Sequence, residues 1–302
     1  MQFTRNQRIA FRLFALIFVL AFIAQAMLKA HADSFKPAHF TVTVEGQGPD
    51  VIMIPGLASS AAVWRPEADK LKAHFRVHLV QVNGFAGTPP GANAGDPIIA
   101  PMVDELAAYI RANNLHPAII GHSMGGLMGL MLADKHPESV TKLMVVDSLP
   151  FFGMLFGPQA TVDTVRPQAA AMRDKVLAGG QAAYAASEPR VMATLVKSQN
   201  ADAQAAVVAA QASDHSVVAR AMYEDMTTDV RPALPKIQTP TTVLYAFDAA
   251  VGFPQAAVDG IYQAGYAGLA HKNLVRIDNS FHFIQIDQPA AFDREVQTFL
   301  AH

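Results

Sequence analysis

Ser123 lies in Gly121-His122-Ser123-Met124-Gly125-Gly126, a Gly-x-Ser-x-Gly run. A serine hydroxyl is too weakly acidic to attack a carbonyl unaided, so it needs a histidine to take its proton and a carboxylate to orient that histidine. His282, in Asp278-Asn279-Ser280-Phe281-His282-Phe283, is the expected base, because it falls between the last strand-like run and the last helical segment. Two carboxylates compete for the third role. Asp248 follows the run Thr241 to Phe247 and gives the chain order Ser, Asp, His, so it is preferred. Asp147, which closes Leu143 to Val146, is the alternative; its other reading is a cap or loop anchor with Ser148. The charge that develops on an attacked carbonyl oxygen calls for backbone donors, expected from Met124 N–H and from Leu57 N–H in Pro55-Gly56-Leu57. His122 flanks the serine, but neighbouring side chains at a tight turn diverge, and it is read as structural. A glycine-rich phosphate loop is the competing reading of the motif, yet the spacing fits neither Gly-x-Gly-x-x-Gly nor a lysine-containing loop.

These residues can meet only if the segments between them form a particular scaffold. Val51-Ile52-Met53-Ile54, Ala118-Ile119-Ile120 and Leu143-Met144-Val145-Val146 are short and wholly apolar, as strands covered on both faces by helices must be. Val77 to Val82, Thr241 to Phe247 and Asn273 to Ile277 read as further strands. Helical stretches are expected at Val63 to His74, Met102 to Asn113, Leu127 to His136 and Pro289 to Leu300. The alternation predicts a mainly parallel sheet flanked by helices, an α/β fold. Phe40 to Glu45 alternates like an edge strand and is expected to open a first antiparallel hairpin, since Gly46, Gly48 and Pro49 break it from the next strand. The elbow motif thus sits between a buried strand and a helix, the context that lifts a serine hydroxyl above the sheet edge.

From Phe151 to about Pro235 the pattern turns Ala- and Met-rich and helical without a convincing strand, which predicts an inserted helical cap over residues 151–235. The core is then 33–150 with 236–302. Phe151, Phe152, Met154, Leu155 and Phe156 open the cap; they are read either as an apolar substrate pocket or as packing of cap on core. Ahead of the core, Arg5, Arg8 and Arg12 precede an apolar run from Leu13 to Ala24, and Ala30-His31-Ala32 offers a small-x-small site. Residues 1–32 therefore read as an export signal with cleavage after Ala32, giving a periplasmic or secreted protein, with an uncleaved membrane anchor as the alternative.

Composition removes several classes. A 302-residue chain that is 51% hydrophobic can bury a large single core. A net charge of -2 and the lack of a Lys/Arg-rich run in the body of the chain give no footprint for nucleic acid. The absence of cysteine excludes thiol catalysis, lipoprotein modification and Cys-ligated metals, and no His-x-His or His-x-x-x-His cluster suggests a metallohydrolase. No cofactor and no metal is called for, and a small-molecule ester-type substrate is the expected partner.

From about Ala38 to its end the chain resembles the α/β-hydrolase superfamily, in particular esterase-like members with a helical cap. The resemblance is carried by the elbow, Pro55-Gly56-Leu57, the Gly84 to Thr88 loop, His136-Pro137-Glu138-Ser139-Val140 and the segment His282 to Pro289. Two departures stand out. Pro55-Gly56 replaces the His-Gly common before the oxyanion-hole residue, and Tyr245-Ala246-Phe247-Asp248 replaces the usual Gly-x-x-Asp around the acid. A serine at the elbow, not aspartate, argues against haloalkane dehalogenases and classical epoxide hydrolases. The resemblance implies the fold and a Ser-His-Asp mechanism, not a substrate; the leading expectation for the reaction is hydrolysis of a carboxylic ester of a small, apolar substrate. Lactonase, thioesterase, amidase and C–C hydrolase activities share that machinery, and a non-catalytic binding protein on the same fold is the alternative class.

Overall fold

The wholly apolar runs occupy the centre of the sheet. In the computed structural model, which describes residues 35–157 and 159–301, the strands are β1 (Phe40–Glu45), β2 (Asp50–Ile54), β3 (Arg76–Val82), β4 (Ala118–His122), β5 (Lys142–Val146), β6 (Thr241–Phe247) and β7 (Lys272–Asp278). They lie in the order β1-β3-β2-β4-β5-β6-β7, with every neighbouring pair parallel except β1 with β3. The expected signal or anchor at 1–32 lies outside the described residues. Among the described residues no helix is long and apolar enough to cross a membrane.

Because successive side chains of a strand point to opposite faces, each central strand feeds two separate cores. Ile52, Ile119, Leu143 and Val145 go to one, while Val51, Met53, Ile120, Met144 and Val146 go to the other. The helices α1 (Arg65–Leu71), α2 (Ile99–Ala112) and α3 (Met124–Lys135) connect the strands as the alternation predicts. Between β5 and β6 the described chain holds α4 (Val162–Leu195), α5 (Ala201–Ala212) and α6 (His215–Thr227) and no strand. The long helix α4 bends at Gly180, whose φ of 70° and ψ of 177° interrupt the helical path. A helix with no counterpart in the sequence reading, α7 (Gln255–Gly265), joins β6 to β7, and the short α8 (Ile284–Asp287) and α9 (Pro289–Ala301) close the chain.

The first hairpin does not form. β1 pairs antiparallel with β3, Phe40 opposite Val82, and β3 stands between β1 and β2. The physical reason is burial. Four of the five residues of β2 are buried and suit a central position between two parallel neighbours, whereas β1 buries only Phe40 and suits an edge.

Candidate active site

The elbow follows from small residues where strand and helix cross. A Cβ on Gly121 would meet the Gly125 carbonyl oxygen at 2.2 Å, and one on Gly125 would meet the Ile54 carbonyl oxygen at 2.4 Å. Only glycine at both positions lets α3 leave β4 so abruptly. Ser123, at the turn, has φ 53° and ψ -123°, a conformation that L-residues rarely adopt. Its N–H donates to Val146 O at 2.9 Å, which holds it beside the end of β5.

That neighbour supplies the carboxylate. Register places His122 opposite Val146, so Ser123 and Asp147 are the next residues at the carboxyl ends of adjacent strands. Asp147 Oδ1 accepts from Ala246 N–H at 2.8 Å and from Tyr262 OH at 2.9 Å. Its Oδ2 lies 2.7 Å from His282 Nδ1. Burial alone would raise this carboxyl, but the His282 ring, the Ala246 amide and the Tyr262 hydroxyl outweigh it and hold Asp147 below the usual carboxylate range. A carboxylate here requires the proton on Nδ1 of a neutral ring and leaves Nε2 as the acceptor, the state a general base needs.

Asp248, the preferred acid in the sequence, is not at this site. Leu244 pairs with Val146, so Tyr245 is level with Asp147 and Asp248 lies three residues, about 10 Å, farther along its strand direction. There it binds Lys197 Nζ and accepts from Ala250 N–H at 2.8 Å, capping a short turn. The Lys197 ammonium lowers its carboxyl from the ordinary value.

His122 is fully buried and donates through Nε2 to the His282 carbonyl oxygen at 3.0 Å. Burial, with the neighbouring His282 charge, lowers its pKa to about 3, so it stays neutral. It therefore tethers the loop that carries His282, a structural role as its place beside the elbow suggested. Leu57 and Met124 complete the arrangement. A Cβ on Gly56 would lie 3.0 Å from Ser123 Cβ, so the turn before Leu57 rests against the serine. Met124 begins α3, where an N–H has no acceptor within the helix. The N–H of Leu57 makes no hydrogen bond within the described residues. Met124 thus follows Ser123 directly, and the turn that carries Leu57 packs against it.

The aromatic opening of the cap divides. Phe151 and Met154 are buried, Phe151 beneath the Arg231 guanidinium with 4.5 Å from its carbon to the ring centre. Phe152, Leu155 and Phe156 are exposed. The buried pair packs cap on core.

The family model described as alpha/beta hydrolase fold matches residues 49–289. The chain belongs to the alpha/beta hydrolase fold family. Among curated relatives it is 30% identical over 210 residues to a putative carbamate hydrolase RutD of Serratia proteamaculans (strain 568), covering 66% of this chain and 73% of that protein. It is 37% identical over 114 residues to a pimeloyl-[acyl-carrier protein] methyl ester esterase of Aeromonas salmonicida (strain A449), covering 37% of this chain and 43% of that protein. A solved esterase from Exiguobacterium antarcticum superposes with a TM-score of 0.72 at 17% identity, covering 87% of this chain and 96% of that one. This alpha/beta hydrolase is accordingly a hydrolase, carboxylesterase-like among its relatives.

Proposed function

We propose that this alpha/beta hydrolase cleaves carboxylic esters through an acyl-enzyme on Ser123, with His282 as base and Asp147 as the acid that orients it. The observation that carries this reading is the Asp147 to His282 contact of 2.7 Å beside a serine held in a strained elbow. In the proposed cycle, His282 Nε2 takes the Ser123 proton as Oγ attacks the ester carbonyl. The N–H groups of Leu57 and Met124 stabilise the oxyanion, and the protonated ring then passes its proton to the leaving alcohol. Water, activated by the same ring, releases the acid and regenerates the serine. Asp147 keeps its charge throughout and stabilises the imidazolium.

The test is labelling with a fluorophosphonate probe, followed by a panel of esters of graded acyl and alcohol length. Wild type should be labelled and active on at least one ester class, and Ser123→Ala should lose both. The relationship to a putative carbamate hydrolase supports adding carbamate esters to the panel, since they present the same carbonyl to the same groups. A wild-type protein that is neither labelled nor active on any member would favour the non-catalytic binding alternative. We also propose that residues 1–32 direct export, leaving Asp33 as the mature N-terminus. Mass measurement of protein recovered from the periplasm or medium tests this, and retention of the full leader would favour the anchor.

A further inference from the structure

Helix α6 carries a carboxylate, Asp225, for which the described residues supply no partner. Val218 and Ala221 of this helix are buried in the core. At 100° per residue Asp225 falls within about 20° of Val218 around the helix axis, on the same inward stripe. Three polar residues beside it in the chain are engaged elsewhere. Glu224 accepts from the N–H groups of Ile98 and Ile99, each at 2.8 Å, and the Thr227 and Thr228 hydroxyls donate to backbone carbonyls one turn back, each at 2.7 Å. Asp225 is half-buried and makes no hydrogen bond or ion pair with any described residue.

The helix is fixed over the site at both ends. Asp214 N–H, at its start, donates to Gly84 O at 2.7 Å, and Ser213 Oγ accepts from Ala86 N–H at 2.9 Å and lies 3.2 Å from the carbonyl oxygen of Ala58, the residue after Leu57. Beyond its end, Val230 N–H donates to Pro150 O at 2.8 Å, three residues past Asp147. Burial raises the Asp225 carboxyl to about 7, against an opposing influence of the His282 ring. Between the Gly84 and Pro150 tethers, Asp225 faces inward on the helix that spans the site.

A half-buried carboxyl group on an inward stripe is partly desolvated at some cost, while its oxygens stay open to solvent and to a bound molecule. The cost is offset when a bound molecule brings the missing donor. We infer that Asp225 is a specificity-determining residue, accepting a hydrogen bond from a hydroxyl or amide N–H that the substrate carries close to its scissile carbonyl. Either protonation state of the carboxyl keeps an acceptor oxygen for that donor. The inference rests on the ester-hydrolase reading of Ser123 and narrows it, from small apolar esters to esters with a polar donor near the reacting bond.

Matched pairs of esters test it. Ethyl butanoate against ethyl 3-hydroxybutanoate places the donor on the acyl side, and butyl acetate against 4-hydroxybutyl acetate places it on the alcohol side. Wild type should favour the hydroxylated member of one pair, and Asp225→Leu should cut that ratio of kcat/KM by about tenfold or more, chiefly through KM. Asp225→Asn, which keeps a carbonyl acceptor, should lie between. Fluorophosphonate labelling of Ser123 in each variant shows that the fold survives. No preference in wild type for either hydroxylated ester overturns the inference. So does an equal loss on both members of a pair, which would mean that Asp225 acts on His282 or on folding. Wild type that neither labels nor hydrolyses any ester defeats the ester-hydrolase reading itself, and this inference with it.

Discussion

At the scale of single residues, the decisive contrast is between two aspartates that each follow a strand and differ in what they touch. Asp147 spends both oxygens on groups that fix its direction: Ala246 N–H and Tyr262 OH on one, His282 on the other. Asp248 spends its oxygens on a lysine and a turn amide. Replacing a triad carboxylate by its amide leaves the geometry but puts the histidine in the wrong tautomer, a loss of about 10⁴ in kcat. Asp147→Asn is therefore expected to lower kcat on the best ester by that order, and Asp248→Asn to change it by less than about tenfold, since only an ion pair with a half-exposed lysine is lost. Steady-state kinetics of the two variants decides this. Equal losses, or a larger loss at position 248, would remove Asp147 from the mechanism.

At the scale of elements, the places where sequence reading succeeded share one property: the signal is local. Gly121 and Gly125 mark the elbow because each sits where a Cβ would strike backbone, and the apolar runs mark β2, β4 and β5 because both faces of those strands are covered. Register is not local. Nothing between Lys142 and Asp248 announces that Leu244 pairs with Val146, and without that pairing an aspartate three residues farther along looks as well placed as the one that contacts His282. The same limit explains β1, whose partner β3 arrives some thirty residues later. One clue was present: Asp147 directly follows a strand that neighbours the nucleophile strand in sequence, as adjacent parallel strands often do. The cap helices show a related conflict of scales. Glu188 of α4 shares a face with Tyr184 and Met192, is buried, and has no hydrogen bond to a described residue. Burial raises its carboxyl above the ordinary value. A carboxyl raised in the folded state binds its proton more tightly there, so its contribution to stability falls as pH rises through and above the unfolded value of about 4.3. Glu188→Gln should remove that loss. The melting temperature of the variant relative to wild type should be higher at pH 8 than at pH 5, and a difference that does not change with pH would place the carboxylate in unhindered contact with solvent.

At the scale of the whole molecule, two neutral histidines sit inside the sheet and tie folding to pH. His78 on β3 contacts Asp50 Oδ1 through Nε2 at 3.0 Å and the Tyr109 hydroxyl through Nδ1 at 2.7 Å. Burial lowers its pKa, although Asp50 pulls the other way. His122 on β4 is lowered to about 3 by burial and by the His282 charge. A histidine depressed in the folded state gives stability that is full above its unfolded value of about 6.5 and is lost as pH falls toward the folded value, because the unfolded chain takes up the proton that the core refuses. His122 alone then costs about 2 kcal/mol between pH 7 and pH 5, before most carboxylates titrate. Urea unfolding at those two pH values should show wild type losing at least that much more stability than His122→Gln, which keeps an amide donor for the His282 carbonyl. Loss of stability at pH 5 in wild type and its absence in the variant is the outcome expected of a core that excludes the proton, whereas equal losses in both would mean that His122 takes up the proton within the intact fold.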